Sequence, residues 1–367
     1  MDFEKFKKTM VTENPGADLS GRELSGTVEL SRTAEITVDK ETYLEAESRG
    51  MTLSELLETP EYDPSPDGSP LDAFERQLAL AGIRLGGKNP TLVDQFYQKA
   101  PVLMPEFMLR EIKKGQAMRP ELSAIVANST TVNNNRYTPF HIDTSTTDRF
   151  SLRPIGEGSE IPQLLVTEQN HSINVPEYGL GLKASYKSLR YRTTAQFRVL
   201  LWYIGFKLQT DKIGLVANCI KDGDGNSNPA ATVNAASSGT LDYDDLITLW
   251  AEFEPFEMNT IMCHISQLKG ILTLDEFKDP LAGYRFQGKG ELFSPLGARL
   301  VRCDEISTDL IIGLDSRFAV EEVVTQPLMV EYDKVIEQRF EEAVISESVA
   351  YAKVIQGASV ILDTVFS

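Results

Sequence analysis

The chain has 367 residues, 41% of them apolar, and a formal net charge of −18 at pH 7, enough for a substantial core in two or more modules. So acidic a chain repels polyanions, which excludes tight docking on duplex nucleic acid without a local basic face but not a wall that merely encloses it. The scattered Cys219, Cys263 and Cys303 read as reduced, mostly buried thiols rather than a disulfide scaffold.

The charged segment 1–10 is unlike a signal peptide, and no apolar run approaches the ~20 residues of a membrane span, so a chain made in the cytoplasm and free of membrane is expected. Residues 1–100 read as an extended or partly independent arm. From Asp39 to Glu75 there are eleven acids against Lys40 and Arg49. Within that stretch Thr42–Leu57 reads as one helix, with Leu44, Met51, Leu53, Leu56 and Leu57 as a weak apolar stripe. The prolines of Glu61–Pro70 break it. A second helix is expected from Leu71 to Gly82, followed by the spacer Gly86–Pro90. So thin an apolar pattern calls for support from another surface, a neighbouring subunit's for example; a flexible tail is the alternative.

Pro105–Gln116 reads as an amphipathic helix burying Phe107, Met108 and Ile112, with proline in its first turn. Ser129–Phe140 reads as strand, turn and strand. The apolar-poor stretch that follows suits a protruding hairpin, with Leu164–Val175 as its second limb. A glycine-rich turn, Pro154–Pro162, leads into an alternating strand signature over Ile173–Tyr186. Thr193–Asn218 is the one long helix: Phe197, Leu200, Leu201, Ile204, Leu208, Ile213 and Val216 recur at three- and four-residue steps. Gly205 and Gly214 weaken its continuity. Beyond Gly239 the pattern alternates: helix over Leu241–Phe253, buried strand over Asn259–His264, helix over Ser266–Phe277, strands over Ala298–Cys303 and Leu310–Leu314. Leu328–Asp333 and Ala343–Phe366 read as long strands returning to earlier sequence, so the middle module is inserted in another.

No reaction centre emerges. Asp222, Asp224 and Asn226 have the spacing of the first calcium-loop ligands, but Ser227 and Val233 stand where glycine and glutamate are required, so a helix-terminating turn is the better reading. Gly156, Gly158, Gly179 and Gly181 lack the partners of a phosphate loop. His141, His171 and His264 have no zinc or triad spacing, and Cys263 and His264, adjacent on a strand, face opposite ways. Trp202 and Trp250 read as core.

The order of these pieces resembles that of tailed-bacteriophage major capsid proteins of the Hong Kong 97 type. The resemblance rests on Pro105–Ile112, on Gly156–Pro162 closing the hairpin region, and on Lys183–Leu189 as a strand before the long helix. It also rests on Asp315–Val320, Val335–Phe340 and Ala350–Ile355, and it covers about residues 100–367. It implies an α+β capsid fold: an N-terminal arm over 1–104; a peripheral domain over 105–238 and 325–367, with an extended loop at 128–175 and a spine helix at 193–219; and an axial α/β domain over 239–324. By the same resemblance the chain is a structural subunit, not an enzyme. It would form hexamers and pentamers of an icosahedral shell, assembled in the host cytoplasm, that encloses double-stranded DNA without sequence-specific binding. Portal, scaffolding and decoration proteins would be candidate partners. No catalytic, cofactor or metal residues are implied. Removal of an N-terminal segment is not expected, and although Lys183 and Asn133–Asn135 are of the types that cross-link in some members, nothing pairs them. The alternatives are an encapsulin-like nanocompartment shell and a soluble α/β enzyme.

Overall fold

The computed structural model describes residues 40–59, 71–142, 166–189, 191–278, 295–335 and 340–366, with the single positions 38, 62, 154 and 157. The architecture is α+β and divides into two compact units. The first takes Met1–Met118, Gly179–Phe206 and Leu328–Ser346; the second takes Arg119–Tyr178, Lys207–Pro327 and Glu347–Ser367. The helix Thr194–Asp222 and the strands Val320–Val335 and Phe340–Lys353 each contribute residues to both.

The first unit is mainly helical. Its opening differs from the expected single helix over 42–57: Lys40–Ser48 and Leu53–Leu57 are separate helices. Gly50 sits at φ +67°, and a capping box closes the second start, with the Thr52 N–H donating to Glu55 at 2.7 Å and the Glu55 N–H to Thr52 Oγ1 at 3.3 Å. The break turns Leu44 and Met51 to solvent and keeps Leu53, Leu56 and Leu57 inside. Asp72 caps Ala73–Leu80 and also binds Arg110. That helix ends in a Schellman turn. The Gly82 N–H donates to Ala79 O and the Ile83 N–H to Leu78 O, which requires the left-handed φ of +65° at Gly82.

Residues 71–104, expected to need another surface, instead bury Leu71, Phe74, Leu78, Ile83 and Phe96 within their own unit. Phe96 and Phe107 meet with ring centroids 5.2 Å apart. The helix Met104–Ala117 falls where its periodicity placed it, with Phe107, Met108 and Ile112 buried.

The second unit is built on a five-stranded sheet ordered Ala231–Asn234, Ser359–Asp363, Leu310–Leu314, Thr260–Cys263, Arg299–Arg302. Leu310–Leu314 is its middle strand, with Ile312 level with Ile361 on one side and Met262 on the other. Alternation sends Ile312, Met262, Val301 and Ile361 into a core with Ile213, Val216 and Ile220 of the long helix. Ile311, Cys263, Val360 and Leu362 enter a second core with Leu246, Leu249, Phe253 and Ile271. A strand covered on both faces carries no polar alternation, which is why Leu310–Leu314 reads as a short continuous apolar run.

Three sequence expectations change here. Ala343–Phe366 is not one strand: Phe340–Lys353 ends, the chain turns at Gln356–Ala358, and Ser359–Asp363 enters the five-stranded sheet. Ser266–Phe277 is two helices, Ile265–Leu272 and Asp275–Lys278. Lys183–Leu189 is the end of the strand Glu177–Ser185 followed by the helical turn Tyr186–Leu189.

A second sheet runs Asn128–Thr131, Val320–Val335, Phe340–Lys353, Glu177–Ser185. Asn128–Thr131 pairs in parallel with Val320–Val335, Thr130 opposite Val323, rather than with the strand after its own turn. The hairpin limbs do pair as expected. Arg136–Tyr137 lies antiparallel to Ile173–Asn174, and Phe140–Ile142 to Val166–Glu168. The expected tip of this loop, with Gly156 and Gly158, lies outside the described residues, as do the arm up to residue 37 and residues 279–294.

Candidate assembly surfaces

In the first unit, two glycines set how closely Met104–Ala117 and the start of the long helix cross. A Cβ at Gly205 would meet the Ile112 carbonyl oxygen, and one at Gly115 the Trp202 carbonyl oxygen. Beside this contact Glu111 is a buried carboxylate with three partners: Trp202 Nε1 donates to it at 2.7 Å, Lys114 Nζ lies at 2.7 Å and Arg198 Nε at 3.3 Å. The Arg198 guanidinium lies over the Trp202 ring at 5.0 Å. Gly205, a weak point in a helix read alone, is what admits the neighbouring backbone. Trp202, expected in the core, is half-buried, and its indole N–H serves as a donor. Nearby, burial holds the Glu106 carboxyl above the usual carboxylate range, although Ser54 and Arg110 oppose this.

In the second unit, the far half of the long helix meets the sheet through charged groups. Lys212 Nζ lies 2.7 Å from Glu347, the Tyr351 hydroxyl donates to Glu322 at 3.1 Å, and the Ser129 hydroxyl donates to Glu322 at 3.0 Å. The turn after the helix is held by hydrogen bonds. Asp224 accepts from the Asn226 N–H at 3.2 Å and from the Lys353 N–H at 3.0 Å, and Asn226 Oδ1 accepts from the His171 N–H at 2.9 Å. Gly223 and Gly225, at φ +83° and +97°, let the chain double back. The Asp224 carboxylate is spent on these bonds, and Asp222 lies 3.5 Å from Lys221; among the described residues no group of three His, Cys, Asp or Glu could hold a metal.

Lys353 was not singled out from sequence, because it stands in an unremarkable strand pattern. It is 2% exposed, and its Nζ has no hydrogen-bond partner among the described residues. Burial pulls its ammonium down to about 8, against the opposing pull of Cys219 and Asp224. The unfolded chain keeps that proton up to the ordinary 10.5, so folding expels it between the two values and stability rises as pH climbs from about 8 to 10.5. The gap corresponds to about 3 kcal/mol. Lys353→Met is therefore expected to be the more stable protein at pH 7, with its advantage shrinking across that window. Urea titrations at pH 7, 9 and 10.5 check this, and a constant difference would contradict it.

The remaining candidates are dispersed. His264 caps the helix Ile265–Leu272, its Nδ1 accepting from the Ser266 N–H at 3.2 Å. Cys263 and Cys303 belong to opposite faces of the five-stranded sheet. Burial pushes the Cys263 thiol up to about 12, and Cys219 likewise, so neither is an activated nucleophile. His141 lies in the strand Phe140–Ile142. Lys183 pairs with Glu342 at 2.5 Å, and Asn133–Asn135 form an exposed turn.

The structure also exposes large apolar side chains. Val199, Leu200, Tyr203 and Phe206 form a stripe along the first half of the long helix, with Tyr203 65% exposed. Phe140 on the hairpin is 63% exposed, and Trp250, expected in the core, is 51% exposed beside Ile247. Such clusters, rather than scattered single residues, mark surfaces that another molecule covers.

No protein-family model matches the sequence, and no curated protein does. Solved structures similar to this one include a virus-like particle from Pyrococcus furiosus, with 13% identity and a TM-score of 0.48 over 71% of this chain and 97% of that one. A holo encapsulin complex from Synechococcus elongatus has 13% identity and a TM-score of 0.45 over 68% and 89%. Mycobacterium phage Che8 has 12% identity and a TM-score of 0.46 over 63% and 85%.

Proposed function

We propose that this chain is the major subunit of an icosahedral capsid of the Hong Kong 97 type, self-assembling into hexamers and pentamers around double-stranded DNA in the host cytoplasm. The observation that carries the reading is the apolar surface left open on separate elements: the stripe from Val199 to Phe206, Phe140 on the hairpin, and Trp250 with Ile247. A monomer gains nothing by keeping these wet, and a shell covers several such patches at once. The paired hairpin limbs support it too, since a ribbon with Phe140 outward has little to pack on within its own subunit. On this reading residues 239–324 lie near the local symmetry axes, and the long helix with the long strands forms the periphery. The work is assembly, with no substrate turned over.

The net charge of −18 suits a wall that releases its contents as readily as it holds them. An encapsulin-like compartment is the second reading, and the encapsulin among the similar structures keeps it in view. Negative-stain microscopy of the purified chain, with nuclease-protected DNA measured in particles from the natural source, tests both. Shells containing DNA support the capsid, shells containing protein cargo support the compartment, and a monodisperse monomer at high concentration rejects both.

A further inference from the structure

We propose that the turn between the strand Glu177–Ser185 and the long helix, together with the loop 84–92 beside it, is a basic patch that holds the phosphate backbone of duplex DNA. The proposal rests on the shell reading for the source of the DNA, and it assigns the face of the subunit turned toward that DNA.

The chain carries 54 acids against 36 bases, yet from Tyr178 to Thr210 it has six bases and no acid. The loop from Gly82 to Val93 repeats the exclusion, with Arg84 and Lys88 as its charges. The fold joins these two stretches inside the first unit. Leu92 and Thr193 form an antiparallel bridge, the Val93 N–H donates to Arg192 O at 2.9 Å, and the Thr194 N–H donates to Thr91 O at 2.8 Å. The Thr194 hydroxyl donates to Arg84 O at 3.0 Å. Two segments distant in sequence, both free of carboxylates, are thus laid side by side.

Some of these bases are already engaged. Arg198 is turned onto the buried Glu111, Lys183 pairs with Glu342 at 2.5 Å and Lys207 with Asp211 at 2.5 Å. Arg190 lies outside the described residues. Lys88, Lys187 and Arg192 are exposed and make no ion pair among the described residues, and Arg84 is half-buried. Asp94, the first acid after the loop, is half-buried and accepts from Gln98 at 2.8 Å. Tyr191, 73% exposed, adds a hydroxyl of the kind that bonds phosphate oxygens.

A surface charged only for solubility mixes both signs. Here one sign is excluded from two segments that the fold then brings together, which is the footprint of a surface that meets a polyanion. The overall charge of −18 does not cancel it, because at 0.1 M salt exposed charges more than about 10 Å away are largely screened. Lysine and arginine reach phosphates without reading base edges, so the contact is indifferent to sequence and sensitive to salt. A few contacts per copy are weak alone, and repetition over many copies makes them count.

The test titrates the dilute full-length chain into a labelled random-sequence duplex and reads anisotropy between about 50 and 200 mM salt. Native binding should fall steeply as salt rises. Lys88→Gln/Lys187→Gln/Arg192→Gln should weaken binding about tenfold or more at the low-salt end and flatten the log–log salt slope by about 3. Lys113→Gln/Arg136→Gln/Arg299→Gln removes the same charge from exposed bases elsewhere and should leave affinity and slope nearly unchanged. Lys88→Arg/Lys187→Arg/Arg192→Lys keeps the charges and should keep the binding, which guards against misfolding. No binding at low salt, equal losses from both glutamine triples, or tighter binding of poly-glutamate than of the duplex would overturn the patch. Shells seen by microscopy alongside any of those results leave the subunit reading standing. A chain that never assembles yet loses DNA only with the patch variants would end the shell reading and support the patch.

Discussion

Asp315→Ala is expected to cost about 2–3 kcal/mol of folding stability. Asp315 is 0% exposed, and five donors converge on it. Arg317 Nε and Nη2 lie at 2.9 and 2.8 Å, the N–H groups of Arg317 and Glu257 at 3.1 Å each, and Asn259 Nδ2 at 3.3 Å. Truncation removes the acceptor of two part-buried backbone N–H groups, and an orphaned buried donor costs about 1–3 kcal/mol. The carboxylate thereby ties the segment before Thr260–Cys263 to the turn after Leu310–Leu314.

Burial pushes the Asp315 carboxyl up, but donation from Arg317 and from the Glu257 N–H outweighs it and holds the group below its ordinary 3.8. Its stabilisation is therefore complete above that value and is lost as pH falls through the lower folded-state value. The difference between the native chain and Asp315→Ala should narrow below about pH 4. Urea unfolding at pH 7 and pH 3 measures both effects. A loss under 1 kcal/mol at pH 7 would show that the hub is dispensable.

Gly205→Ala and Gly115→Ala should each destabilise the first unit by about 2–3 kcal/mol, as overpacking of a tight contact does. The sign is what makes these variants informative. In a helix judged alone, alanine is better than glycine by about 1 kcal/mol, so intrinsic propensity predicts a gain. Here the added methyl would meet backbone carbonyl oxygens of Ile112 and Trp202, which cannot rotate aside as a side chain could, so the helices must separate. Gly181, with nothing within 4 Å of an added Cβ, is the control and should change by less than about 0.5 kcal/mol on the same substitution. Neutral results at both 115 and 205 would mean the crossing is looser than drawn.

Where burial is one-sided or complete over a run, the sequence was legible. The helix at 104–117, the long helix from 194 and the strands at 260–263 and 310–314 fall within a few residues of their patterns. The hairpin limbs were legible from their lack of apolar content. What stayed hidden depends on geometry that no local pattern carries. Nothing in Thr52–Glu55 outweighs the helical composition around it until its capping box is seen, and the jump at Lys353–Ser359 interrupts an unbroken β-rich run. Trp250 looked like core because its helix has two apolar faces, of which Leu246 and Leu249 are the inner one. Lys353 and Asp315 gained their importance from strands and turns distant in sequence. That no catalytic cluster was expected followed from missing motifs, whereas the assembly surfaces could be found only once exposure was known.

The position of Ser359–Asp363 has a consequence for synthesis. It stands between Leu310–Leu314 and Ala231–Asn234, and Val360 is level with Ala231 across almost the whole intervening chain. Until residue 363 has left the ribosome, both neighbours keep a raw flank and the two cores they would seal stay open. On the proposed function, a nascent subunit would stay incompetent to join a second copy until residue 363 has emerged.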